Sequence, residues 1–422
     1  SMQKQLQQDG PQHIRVLIVG ASFAGRRAYS LLRGTPGLQV FLVDGLDYSE
    51  YTPSVLRALV QPDQISRILR PQSCHVIAGW ATGLEMNTAQ GGGRLLLHDG
   101  RCFPFEHLVI TTGSGYCQPI KPKQEVQSMA NRQEQLQAAA RQVQGSDSFV
   151  VVGGGAVGVE LAAELVETFG PSKTVTVITS DARLLPRMAM QASKYAAQWL
   201  QKRGVLLIFS ERVQRWPAGA QQEFTTGEVV TSTGRELSGL VLDCTGLGAK
   251  IPVHLYAQLL KGNPGAEEAA EKAARQGIPV EPTLQVTGFP CVWAAGDCAG
   301  LPFERCAYGA DLQAATVADN ILRFVLRGQP ARPYPGAAVS LCGVLNDQPV
   351  QAVISLGSKD GVMQISRTVV ATGWLAAQAK ALIERLQLSI AQDNRIVERV
   401  WLPLEAAGTL VAALLLKLTT HW

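Results

Sequence analysis

Two stretches of the chain repeat one order of apolar and polar positions. Residues 14–19 (IRVLIV) form a continuous apolar, β-branched run, followed by Gly20-Ala21-Ser22-Phe23-Ala24-Gly25 and a helically spaced segment to Leu32. Residues 148–155 (SFVVVGGG) repeat the apolar run and glycine turn, and 156–168 repeat the helix. Each is followed by another apolar strand, LQVFLVD at 38–44 and KTVTVITS at 173–180. Short apolar runs without alternation predict parallel strands buried on both faces, joined by crossover helices. Further buried strands are expected at FEHLVITTGS (105–114) and CVWAAGDCAG (291–300), and hairpin strands at 222–243. Helices are expected near 131–143, 188–203, 304–326 and 374–390, and an apolar one near 404–418, with strands near 337–345, 350–356 and 361–371. The segment 261–277 reads as a surface stretch with a short helix, and GQPARPYPG (328–336) as a linker.

This recurrence predicts an α/β protein with two Rossmann-like dinucleotide-binding domains and a smaller α+β C-terminal unit. The boundaries drawn are 1–125 and 283–330 for the first domain, 126–282 for the second and 331–422 for the third. At 422 residues the chain exceeds what one core usually covers, and 46% apolar with 17% charged residues is the composition of a globular protein. A net charge of +4 does not by itself argue for a nucleic-acid partner. The residues before position 14 lack a secretory pattern, and Ser1 ahead of Met2 reads as an added residue, so a native start is expected to be missing. The eight cysteines show no C-x-x-C spacing and the six histidines no metal spacing. No metal site is expected, and the cysteines are expected to be small buried groups in a reducing compartment.

The two turns carry the chemistry. In the first, Gly20 and Gly25 supply the tight turn and the close helix–strand approach. Ser22 replaces the middle glycine, and its hydroxyl is able to donate to a phosphate. Asp44 ends the next strand about 20 residues on, where a carboxylate accepts from ribose hydroxyls. The second turn has all three glycines, Gly153, Gly155 and Gly158, with Ala156 and Val157 opening the helix. Its second strand ends in Thr179-Ser180, with Asp181 and Arg183 beyond. Without an acid at the strand end a 2′-phosphate is not repelled, so NADPH and NADH both remain open. Two such sites imply FAD in the first and a nicotinamide nucleotide in the second, with hydride passing between them.

The set GASFAG, VITTGS, GGGAVG and AAGDCAG resembles the two-dinucleotide-binding flavoprotein superfamily that includes glutathione reductase, over about residues 14–326. The resemblance implies that Thr112 and Gly113 lie at an FAD strand end and that Asp297 binds the ribityl chain. It places the helix start at Ala307 and Tyr308 against the pyrimidine end of the flavin, and Glu160 on the nicotinamide side. Disulfide reductases of that superfamily carry a C-x-x-x-x-C pair after the FAD acid; residues 45–70 contain no Cys, so electrons are expected to pass directly to an acceptor. GGGAVGVELAAEL, KRGVLLIFSERV, LVLDCTG and SLGSKDGVMQIS resemble the ferroptosis-suppressor branch, related to type II NADH dehydrogenases. That resemblance implies reduction of ubiquinone or vitamin K-type quinones with NAD(P)H at an intracellular membrane, with Lys380 near the quinone. The additional residues around 341–354 and the extension past 390 depart from the branch and bear on the acceptor pocket.

Other readings stay open at this point. Lys380 also fits the solvated face of an amphipathic helix, and Glu160 a surface ion pair. LEAAGTLVAALLLKLTTHW is too short to span a bilayer; it suits either an interfacial anchor or a helix packed on the body or in a homodimer. A redox-sensing, apoptosis-inducing-factor-like protein acting through interactions is the alternative to an enzyme. Ferredoxin reduction would call for a strongly basic docking face.

Overall fold

The computed structural model describes residues 13–87, 91–122, 128–246, 251–302, 305–334, 352–365, 368–391 and 396. They fall into two compact units. One comprises Ser1–Asp47, Cys74–Ser114 and Lys250–Asn346, the other Tyr48–Ser73, Gly115–Ala249 and Asp347–Trp422, as far as these ranges are described.

The first unit is built on a six-stranded sheet ordered Gln285–Val286, Phe289–Ala294, His107–Ile110, Ile14–Val19, Leu38–Asp44 and Val76–Ala78. All its pairings are parallel except that of the Gln285–Val286 edge strand. The apolar run at 14–19 has the composition it has because both faces of its strand are covered. Val16 and Ile18 pack under the helices Phe23–Leu32 and Ala307–Arg327, while Leu17 and Val19 face a second core. That second core lies beneath an antiparallel meander (Ala81–Met86, Gly93–Leu97, Cys102–Phe105) and the helices His254–Leu259 and Ala266–Gln276.

The second unit has its own six-stranded sheet, ordered Leu206–Ile208, Thr174–Ile178, Ser148–Val152, Glu236–Asp243, Thr225–Thr231 and Val213–Arg215. The first four strands run parallel; Thr225–Thr231 pairs antiparallel with Glu236–Asp243, the hairpin expected at 222–243, and Val213–Arg215 adds antiparallel at the edge. Helix Ala156–Phe169 is apolar on almost every side and is buried accordingly from Gly158 to Val166. A three-stranded antiparallel sheet, Ala352–Leu356, Asp360–Ile365 and Thr368–Thr372, belongs to the same unit, with helix Trp374–Ala391 packed on it. Asp360 fixes this sheet to helix Met190–Gln201 by accepting from the Tyr195 hydroxyl and the Trp199 indole N–H, each at 3.0 Å. Gln364 Oε1 accepts from the Ala189 N–H just ahead of that helix.

The single strand expected at 361–371 is instead two antiparallel strands. The polar run SRT at 366–368, between two apolar stretches, is the sequence sign of the break. The strand expected near 337–345 and the helix near 404–418 lie outside the described residues. Cysteine burial is also mixed: Cys117, Cys244 and Cys298 are buried, Cys102, Cys291 and Cys306 are half-buried, and Cys74 is exposed. Among the described residues no helix is long and apolar enough to cross a membrane.

Candidate functional site

The first glycine turn is dictated by contact. Gly20 sits at φ +107°, a conformation that suits glycine, and a Cβ there would collide with the Thr111 carbonyl. A Cβ at Gly25 would fall inside the Gly20 carbonyl oxygen. Ser22 is the N-cap of helix Phe23–Leu32; its side chain makes no capping hydrogen bond and is exposed, so its hydroxyl faces outward at the helix N-terminus. Phe23 and Ala24 form the first helical turn. Asp44 accepts from the Ala21 N–H at 2.5 Å and the Leu46 N–H at 2.8 Å. Burial pushes its carboxyl up, opposed by these backbone hydrogen bonds. A carboxylate has about four lone-pair sites, so two such bonds leave acceptor capacity for sugar hydroxyls.

The other expected FAD residues converge on this turn's sheet. Thr112 and Gly113 follow strand His107–Ile110, Gly113 at φ +72°. The next residue, Ser114, donates from its hydroxyl to Asp297 Oδ2 at 2.7 Å. Gly296 donates its N–H to Gln313 Oε1, which ties the G-D-C turn to helix Ala307–Arg327. Ala307 opens that helix and Tyr308 follows, with Cys306 as N-cap. Ser114 and Gln313 are absent from the sequence-based set; a hydroxyl directly after T-T-G and a buried amide on an apolar helix face were the available signals.

The second turn repeats the construction. Gly153 is at φ +122°, and a Cβ there would come within 2.8 Å of the Cys244 carbonyl oxygen. A Cβ at Gly158 would fall inside the Gly153 oxygen. Gly155, the helix N-cap ahead of Ala156 and Val157, differs: a Cβ there would meet nothing within 4 Å. Packing does not require glycine at this point; a ligand backbone approaching the helix N-terminus does, which is how a pyrophosphate seats. Both turns therefore fit a dinucleotide. Thr179 is buried, and its Oγ1 accepts from the Asp181 N–H at 3.2 Å, while Ser180 and Asp181 are exposed. Arg183 donates to the carbonyls of Leu185, Pro186 and Met188.

Glu160 and Lys380 meet. Glu160 lies on the second turn of helix Ala156–Phe169, and its Oε1 accepts from the Ser355 N–H (2.8 Å), the Ser355 hydroxyl (3.1 Å) and Lys380 Nζ. Lys380, on helix Trp374–Ala391, has only 17% of its side chain exposed. The contact spans 220 positions. One helical turn further, Glu164 Oε1 accepts from Arg57 Nε and Nη2 at 3.1 and 3.0 Å. Beyond it Glu384 pairs with Arg67 at 3.1 Å. Glu160, Glu164, Lys380, Glu384, Arg57 and Ser355 line a cavity of about 30 Å³. Arg57, Glu164, Glu384 and Ser355 were not singled out by sequence; Arg57, the lone charge in the apolar run VLRALV, was the visible sign of a buried partner.

The family model described as pyridine nucleotide-disulphide oxidoreductase matches residues 14–320. This chain belongs to the pyridine nucleotide-disulphide oxidoreductase family. It is an oxidoreductase that uses FAD and NAD(P)H. Within that family it is similar to ferroptosis suppressor protein 1 of Homo sapiens, at 33% identity over 363 residues, 84% of this chain and 89% of that one. It is also similar to apoptosis-inducing factor homolog B of Dictyostelium discoideum, at 24% identity over 84% and 90% of the two chains. Two solved structures share the fold. Sulfide:quinone oxidoreductase of Aquifex aeolicus superposes with a TM-score of 0.68 at 15% identity, covering 90% and 92% of the two chains. NDH2 of Plasmodium falciparum does so with 0.65 at 12%, covering 90% and 97%.

Proposed function

We propose that the protein is an FAD-dependent NAD(P)H:quinone oxidoreductase, and that Glu160 and Lys380 form its acid–base pair. The observation that carries this reading is the buried Glu160–Lys380 contact on the helix that begins at the nicotinamide-nucleotide turn. FAD, when bound, would supply the two-electron chemistry between NAD(P)H and the acceptor. A quinone taking two electrons also takes two protons at its oxygens. Lys380 is the cation placed to give one, and Glu160 holds it in position. All three donors reach Glu160 through Oε1, which leaves Oε2 to accept from the nicotinamide carboxamide. The cavity at the pair admits a water molecule and not a quinone ring, so the acceptor docks beside it.

In the same reading residues 1–125 and 283–330 bind FAD, 126–282 bind NAD(P)H, and 331–422 face the acceptor. Asp44 holds the FAD ribose, Asp297 the ribityl chain, and the helix N-terminus at Ala307 and Tyr308 the pyrimidine end of the ring, where its dipole favours negative charge. A quinone lives in a bilayer, and Trp374, Leu375 and Leu382 are large apolar side chains left exposed on helix Trp374–Ala391, which carries Lys380 and precedes the apolar stretch at 404–418. Peripheral attachment to an intracellular membrane through this part of the chain, as a monomer or homodimer, completes the proposal.

The test is the visible spectrum of the purified protein, then NADH and NADPH oxidation with and without a short-chain ubiquinone. The expected result is yellow protein whose turnover rises with quinone. Yellow protein that is reduced by NADH and ignores quinone would overturn the acceptor assignment.

Nucleotide preference gives a second expectation. Arg183 is held by three carbonyls, so R183A should leave the NADPH-to-NADH ratio of kcat/KM within about twofold. Asp181 stands exposed beside the ribose position, so D181N should raise that ratio about 10-fold by removing a like charge from the 2′-phosphate. Equal ratios for D181N and wild type would place the discrimination elsewhere.

A further inference from the structure

The Glu160–Lys380 pair does not stand alone. Glu164 follows Glu160 by one turn of the same helix, so both carboxylates face the same way. Glu164 is 2% exposed, and its two oxygens are treated differently. Oε1 takes both hydrogen bonds from Arg57, while Oε2 is buried with no hydrogen-bond partner among the described residues. An unpartnered buried carboxylate oxygen is costly unless it carries a proton or meets a water. The cavity that Glu164 shares with the polar groups of Glu160, Lys380, Ser355 and Glu384 is large enough for one water. Glu384, which also lines the cavity, pairs with Arg67, whose side chain is 43% exposed.

We propose that Glu164 is a positioning residue for proton delivery: through water in the shared cavity its carboxyl reloads Lys380 after Lys380 has given a proton to the quinone. This rests on the quinone-reductase reading. The overall reaction is NAD(P)H + H⁺ + quinone giving NAD(P)⁺ + hydroquinone. Both electrons and one hydrogen arrive with the hydride, and one proton must enter from solvent. In the proposed relay an N–H bond of Lys380 breaks as an O–H bond forms on the quinone oxygen. The neutral amine then regains a proton from the Glu164 carboxyl by way of the cavity water. The Glu164 carboxylate, held by Arg57, is finally reprotonated from the solvent side at Arg67 and Glu384.

The charges around Glu164 suit this cycle. Burial pushes its carboxyl up, and Glu167 and Glu160 on its own helix push in the same direction, while Arg57 opposes them. From the helix Trp374–Ala391, Lys380 and Glu384 face the same cavity, and burial pushes the Tyr51 hydroxyl up, with Glu384 and Glu160 adding to it. The relay runs only while Glu164 is protonated. Its contribution is therefore complete at low pH and is lost as pH rises through an ionisation lying above the ordinary carboxylate range.

Stopped-flow measurement on the FAD-loaded protein, reduced with NADH, tests this with two oxidants between about pH 5.5 and 9. A short-chain ubiquinone takes electrons and protons; ferricyanide takes electrons alone. E164Q keeps the side chain's shape and cannot titrate. Its reoxidation by quinone is expected to slow about 10-fold and to lose the fall at high pH, with ferricyanide reoxidation unchanged and E164D restoring the pH-dependent limb. Equal loss with both oxidants, or a quinone profile identical to wild type, would overturn the proposal. Should E164Q fail to hold FAD, the wild type decides: a solvent deuterium effect on quinone reoxidation that ferricyanide lacks is expected, and its absence overturns the relay. Reduced wild type that yields electrons to ferricyanide and never to quinone sinks the quinone reading itself.

Discussion

G25V is expected to yield colourless protein that FAD does not turn yellow. A Cβ at Gly25 would occupy the space of the Gly20 carbonyl oxygen and come within 2.8 Å of the Thr111 hydroxyl. Neither neighbour can retreat. The Thr111 hydroxyl bonds the Val19 and Gly20 carbonyls at 2.8 and 2.9 Å, and Gly20 itself is bonded to Val43. The helix Phe23–Leu32 must therefore lift away from the strand Ile14–Val19, and the N-terminus that would receive the pyrophosphate moves with it. Steric overlap of this kind in a packed interior costs several kcal/mol, among the largest effects of any single substitution. Titration with FAD followed by absorbance, beside thermal unfolding, measures both consequences. G25V protein that binds FAD normally would show that the turn is not the flavin site.

K380M gives the opposite pattern, intact protein with a failed second half-reaction. Methionine retains the stem of the lysine and its packing but carries no proton. Loss of a general acid typically costs about 100-fold or more in rate, so reduced K380M should pass electrons to a short-chain ubiquinone about 100-fold more slowly than wild type. FAD content and reduction by NADH should stay close to wild type. Glu160 keeps its two hydrogen bonds from Ser355, which limits the stability loss from breaking the buried pair to about 1–3 kcal/mol. Rapid mixing with NADH and then with quinone separates the two half-reactions. A normal quinone rate in K380M would remove Lys380 from the mechanism.

What could be read from the chain differs between the cradles and the acid–base pair for a physical reason. Gly20 and Gly153 are closed off by the carbonyls of Thr111 and Cys244, far along the chain, and are legible only through the repeated strand–turn–helix pattern. Gly25 and Gly158 are short-range necessities: each meets the carbonyl of the glycine five residues earlier in its own turn, and the strand and helix that enforce this are contiguous in sequence. Asp44 is legible for the same reason, since the strand that carries it is the next one in the sheet. Arg183 was legible as a cation near the ribose, but its guanidinium is taken up by carbonyls of its own loop, and a loop's internal hydrogen bonds have no periodicity to read. Glu160 and Lys380 were each visible singly. Their partnership was not, because it depends on how the sheet Ala352–Thr372 and its helix fold back onto helix Ala156–Phe169. Ser355, whose backbone and side chain both hold Glu160, is invisible to pattern reading: it is a single hydroxyl in an apolar strand. Glu164 carried a legible sign that composition alone hides, an acid spaced four residues from another on a largely apolar helix.

Helix Ala156–Phe169 also works as a ruler. It begins at the nucleotide turn and bears Glu160 and Glu164 on successive turns, at a rise of about 1.5 Å and a rotation of about 100° per residue. One residue inserted between Gly158 and Glu160 would swing both acids away from Lys380 and Arg57 while leaving the glycine turn intact. Length is thus as constrained here as identity. The segment around Asn263, on the surface between the helices His254–Leu259 and Ala266–Gln276, is under no such constraint. Anyone splicing tags or exchanging parts of this enzyme has a place to cut there, and none inside the helix.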